Sequence, residues 1–223
     1  MKNSRFYFPI INAFIFVTSA IAIPVTLTVG SRAARLDGNT GFAYWQHIAT
    51  FTILSNIFLA GVALAAVIIW FKTKDHKKLP STFLVWYLSA SSAAMVTCLT
   101  VLLFLAPMRA IGGKDYFDML LEPMFFLHFL NPILSAITFI FLTGHQILPK
   151  KSRFLATIPI VIYAIPYCLN VIFLHTWPDF YGITFGGKYY LTPIVFMVFW
   201  LSIFSIDNLL LFFRHKSCHK NLQ

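Results

Sequence analysis

Six long apolar runs, separated by short polar connections, account for nearly the whole chain. They cover residues 6–29, 42–70, 81–106, 122–143, 154–176 and 191–213. Each is long enough, at about 20 residues or more, to cross a bilayer as a helix. The pattern predicts an all-α fold, a polytopic transmembrane bundle of six helices forming a single integral membrane domain over residues 1–223. The first run is too long for the apolar core of a signal peptide, and no small-residue cleavage site follows it, so it reads as a retained span. Pro24 predicts a kink in that span, and Pro107 predicts the end of the third. Ser89, Ser91, Ser92, Ala93 and Ala94 make the third run a surface on which other helices can pack closely.

Composition removes the soluble alternatives. Hydrophobic residues make up 59% of the chain and charged residues only 11%, against about 25% charged in soluble domains. The net charge of +10 sits in the connections. Twelve of the 17 Lys and Arg residues fall in the N-terminus, the second and fourth connections and the tail. The positive-inside rule then predicts that both the N- and C-termini are cytoplasmic. Charge placed this way fits lipid headgroups and excludes nucleic acid as a partner. Cys98 and Cys168 lie in apolar runs and read as small hydrophobes. Cys218, flanked by Lys216 and Lys220, reads as a weak palmitoylation site. No two histidines or cysteines have metal-ligand spacing, so neither a metal nor another cofactor is expected.

The candidate chemistry lies in polar residues inside the apolar runs, where hydrocarbon makes an unpaired polar group costly. Thr52, Ser55 and Asn56 share one helix face. His128 and Asn131 interrupt the fourth run. Tyr163, Pro166, Tyr167 and Asn170 share a face of the fifth. With the spans as drawn, Thr52 and His128 lie at about the same depth, roughly 9–15 Å below the outer boundary. Thr97, Tyr167 and Asn170 come near that layer. A threonine hydroxyl becomes a nucleophile when a base removes its proton, and histidine is the usual base. Ser55, Asn56, Asn131 or Asn170 could orient the ring, and Asn56 or Tyr167 could stabilise an oxyanion. An acyl ester arriving from the lipid phase suits such a site. The simpler readings are a threonine bonded back to its own helix and a histidine lining a polar cavity. Asp207, deep in the sixth run, is most simply paired with Arg214 two turns on or reaching headgroup water. The segment 177–190 is an aromatic belt or a lid. His47, His145, His175 and the tail histidines read as solvated.

Four stretches resemble one family. Phe51-Thr52-Ile53-Leu54-Ser55-Asn56 looks like the FT-x-x-SN signature of bacterial integral membrane proteins related to the androgen-induced protein family. Met95-Val96-Thr97 with the apolar residues after it is similar to that group's third helix. Leu127-His128-Phe129-Leu130-Asn131-Pro132 resembles its LH-x-x-x-P motif, and Trp177-Pro178-Asp179-Phe180-Tyr181-Gly182 its aromatic loop. Animal members are multipass threonine hydrolases that cleave fatty acid esters of hydroxy fatty acids. The resemblance implies catalytic roles for Thr52 and His128. It also implies a multi-pass place in the bacterial plasma membrane, with membrane lipids or fatty acyl esters as partners. The leading expectation is therefore a membrane-embedded lipid ester hydrolase. The alternatives are a non-enzymatic lipid-binding protein or transporter using the same polar layer as a cavity, and a membrane acyltransferase using the same pair.

Overall fold

The structure is a computed structural model that describes residues 6–36, 46–73, 79–144 and 146–220. Every regular element among these residues is helical. Helix α1 spans Tyr7–Leu36, α2 Phe51–Lys72, α3 Ser81–Ile111, α4 Phe126–Phe141, α5 Ser152–Phe173 and α6 Thr192–Lys220. All but α4 are long and apolar enough to cross a membrane; α4 is apolar but shorter.

Several boundaries differ from the sequence reading: α1 runs on to Leu36, α6 runs on to Lys220 and α4 is shorter at both ends, and two further differences have clear local reasons. The second helix begins at Phe51, not at residue 42. Thr50 is extended (φ −71°, ψ 143°), and its hydroxyl accepts the Ile53 N–H at 3.5 Å, so it caps the helix. Residues 46–49 form a separate short 3-10 turn. Its His47 ring packs against α1 at Gly30, where a Cβ would lie only 2.6 Å away. His47 is thus half-buried rather than solvated, while His145 lies outside the described residues.

The second difference is that Pro107 does not end α3. A proline ring clashes with the carbonyl four residues before it. Over Val101–Leu105 the helix widens into a π-turn, in which the Ala106 N–H reaches back to the Val101 carbonyl. Pro107 then stands in the first turn of a renewed α-helical segment, where no N–H is needed. The same device recurs at Phe126–Leu130. There the Asn131 N–H bonds to Phe126 and Pro132 follows. Both π-turns leave one carbonyl without a backbone donor, because the residue that would supply it is proline.

The helices alternate in direction around α3. Its small residues Ser89 to Ala94 are all buried, and the Ser89 hydroxyl donates to the Ala156 carbonyl of α5 at 2.5 Å. At one end of the bundle Tyr87 packs on Phe8, Phe83 and Phe139 and donates to Asn12 of α1 at 2.8 Å. The start of α1 and the end of α6 both lie at this end. Fully buried Arg214 of α6 donates there to the Phe139 carbonyl at 2.9 Å, to the Thr143 hydroxyl and to the Gln146 carbonyl at 3.0 Å. A guanidinium suits the carbonyl-rich C-terminus of α4. Arg214 does not pair with Asp207. That carboxyl is also fully buried, takes the Ser92 hydroxyl at 2.5 Å, and keeps Oδ2 without a partner. Cys218 is likewise buried within the bundle, which removes the exposed thiol that acylation needs.

Candidate functional site

The opposite end of the bundle holds the starts of α2 and α4. Thr52 is half-buried in the first turn of α2, not ten residues into a span. Ser55 and Asn56, one turn on, are buried. The Ser55 hydroxyl bonds to the Thr52 carbonyl and to Thr97 of α3, both at 3.1 Å. The Asn56 amide donates to the Thr52 carbonyl at 2.9 Å and across to the Leu127 carbonyl of α4 at 3.1 Å. Leu127 O is the carbonyl that the Pro132 π-turn orphans, so Asn56 supplies the donor proline lacks. Ile53 and Leu127 pack together beside Ala22 and Ile23 of α1. The two polar stretches marked in the sequence therefore meet, at residues adjoining Thr52 and His128.

His128 is 4% exposed and stands in the π-turn. Its Nδ1 lies 2.7 Å from the Met119 carbonyl. A carbonyl can only accept, so Nδ1 carries the proton and Nε2 holds the lone pair. This is the tautomer a general base requires. The four-residue spacing from His128 to Pro132 now has a cause. In an ordinary α-turn the Pro132 ring would clash with the His128 carbonyl; the π-turn over Phe126–Leu130 avoids that clash and places His128 within it. Among the described residues no hydrogen bond joins the Thr52 hydroxyl to the His128 ring.

The other expected site residues fall in three places. Asn131 is buried in the same layer but ties α4 to α1. It accepts from Thr18 at 2.9 Å and donates to Ser19 at 3.0 Å, and the Met119 carbonyl holds the histidine instead. Tyr167 donates to Asp179 at 3.3 Å. Asn170 donates to its own helix at Pro166 and accepts from Thr176, and so stands apart from the layer.

Residues 174–188 fold inward over the start of α2. Asp179 organises this loop, accepting from the Ile183 and Thr184 amides at 2.9 Å and from the Thr184 hydroxyl at 2.8 Å. Burial raises its acidity constant's pKa, but these donors outweigh it and hold the carboxyl below its usual range. The Tyr181 hydroxyl reaches the Phe51 amide at 2.6 Å. Tyr163 donates to the Ala49 carbonyl at 2.9 Å. The sequence reading placed Tyr163 on a polar helix face and Tyr181 only within an aromatic loop. It also passed over α1, where buried Asn12, Ser19 and Thr26 recur every seven residues, a spacing that marks one inward face.

Among the described residues no cluster of three or more His, Cys, Asp or Glu side chains could hold a metal ion. Together the apolar spans and the buried polar layer define a helical multipass membrane protein. No protein-family model, curated protein or solved structure matches the chain.

Proposed function

We propose that the protein is a membrane-embedded lipid ester hydrolase of the bacterial plasma membrane, with Thr52 as nucleophile and His128 as base. The observation that carries this reading is the Asn56 amide, which holds the Thr52 and Leu127 carbonyls together while Met119 fixes the basic tautomer of His128. Catalytic hydrogen bonds are often formed only in the substrate complex. In the proposed step Thr52 Oγ bonds to the acyl carbon and its proton passes to His128 Nε2. The tetrahedral intermediate then expels the alcohol, which takes that proton. Water, deprotonated by the same histidine, cleaves the acyl-threonine and releases the free acid.

A lipid substrate is supported by an apolar groove of about 410 Å³ between α5 and α6, lined by Ile160, Ala164, Cys168, Phe196, Phe199 and Ile203. Phe199 packs edge-on against Phe51, next to Thr52, with ring centroids 5.5 Å apart. The groove thus leads an acyl chain toward the nucleophile.

One observation favours a second reading, a lipid-binding protein without chemistry: Thr52 and His128 are not joined by a hydrogen bond. Incubating the purified protein with a fatty acid ester of a hydroxy fatty acid separates the readings. Free acid released by wild type but not by Thr52→Ala supports the hydrolase. A new ester in place of free acid supports the acyltransferase, and saturable binding without turnover supports the second reading.

A further inference from the structure

At the end of the bundle away from Thr52, α3 and α5 start side by side and run in the same direction. A groove of about 370 Å³ opens between them. The Ser89 hydroxyl, on the Ala156 carbonyl at 2.5 Å, ties its two walls together. The lining changes along its length. Ser81, Thr82, Lys151 and Ser152 stand at the mouth, and Val85, Trp86, Leu155 and Ile158 follow one to two helical turns further in. Trp86, Leu155 and Ile158 are 50%, 42% and 48% exposed, so this inner stretch is an open apolar trough on the lipid-facing side of the spans. Ser152 is only 1% exposed, lines the groove, and has a hydroxyl with no hydrogen-bond partner among the described residues.

Charge at this mouth is one-sided. Lys150, Lys151 and Arg153 follow one another closely, and neither lysine pairs with a carboxylate among the described residues. Of the described acids, only buried Asp207 lies within the bundle. Asp115, Asp118, Glu122 and Asp179 all belong to the loops at the opposite end. A cationic, hydroxyl-lined mouth leading into an apolar trough matches a molecule with a phosphate head and a hydrocarbon tail. Free phosphate would leave the trough empty, and a zwitterionic lipid would bring its own ammonium against the lysines. We propose that this groove binds one anionic phospholipid, with its phosphodiester on Lys151 and the Ser152 hydroxyl and an acyl chain along Trp86, Leu155 and Ile158. The bound lipid braces α3 against α5. The site is separate from Thr52 and does not depend on the chemistry there.

The test titrates dioleoylphosphatidylglycerol into full-length protein in neutral detergent and follows the thermal midpoint. A ligand that binds only the folded bundle raises the midpoint saturably. Wild type responds to this lipid, but not to dioleoylphosphatidylcholine or to inorganic phosphate. Lys151→Gln raises the half-saturating lipid concentration about fivefold, the share of one cation near an anionic headgroup. Leu155→Trp fills the trough without changing charge and abolishes the response. Both side chains are exposed, so without added lipid both variants melt close to wild type. No rise with phosphatidylglycerol, an equal rise with phosphatidylcholine or with phosphate alone, or a wild-type response in either variant overturns the site.

Discussion

Of three π-turns among the described residues, the two that run into a proline solve one problem with different partners; the third, Leu169–Phe173 in α5, has no proline directly after it. In α3, Pro107 leaves the Leu102 carbonyl without a backbone donor, and the Tyr116 hydroxyl takes it at 2.7 Å. Tyr116 lies 14 residues away in the adjoining loop, and the repair is local. In α4, Pro132 orphans the Leu127 carbonyl in the same way, but the donor is Asn56 from α2, 71 residues away. A local repair fixes only the turn. The long-range repair fixes the turn, the start of α2 and the bearing of His128 together. The difference teaches that a proline-widened turn is by itself a backbone feature. It becomes part of a site when its spare carbonyl binds another helix.

The largest effect is expected at Asn56. Asn56→Leu leaves the Leu127 and Thr52 carbonyls without this donor in a buried layer, and should cost about 2–3 kcal/mol, read as a fall in the thermal midpoint in detergent. Next comes Pro132→Ala, which restores a donor at position 132 and lets the turn close. Stability should change by less than about 1 kcal/mol, while fluorophosphonate labelling falls by about 10²-fold as the histidine moves. Unchanged labelling would remove the link between the π-turn and the base. The smallest effect is at Tyr116→Phe. That side chain is only part-buried, so water or a headgroup can replace the hydroxyl. The cost should stay at about 0.5–1 kcal/mol, with labelling unaltered. A Tyr116→Phe variant as damaged as Asn56→Leu would end the distinction between the two turns.

Much of this was legible in the sequence, at the level where periodicity and burial speak for themselves. Apolar length gave five of the six spans, α4 being shorter than the run that predicted it, and the i, i+3, i+4 placing of Thr52, Ser55 and Asn56 gave the inward face. That the two polar stretches meet was legible from counting along the runs, as the Asn56–Leu127 bond has it, although the start of α2 was not, because the Thr50 cap moves it. What stayed hidden was set by tertiary partners. Asp207 and Arg214 are spaced to pair along one helix, yet the carbonyls at the end of α4 hold the arginine and Ser92 holds the acid. Pro107 reads as a terminator, and only the π-turn before it keeps α3 running. Nothing local marks the Met119 carbonyl as the partner of His128, or Tyr181 as the oxygen that meets Phe51.

The most direct test is to label wild type, Thr52→Ala and His128→Ala with the fluorophosphonate probe and map the modified residue by mass spectrometry, after thermal melts show all three folded. The account predicts label on Thr52 in wild type and none in either variant. A wild type that takes no label, or label that survives Thr52→Ala, contradicts it.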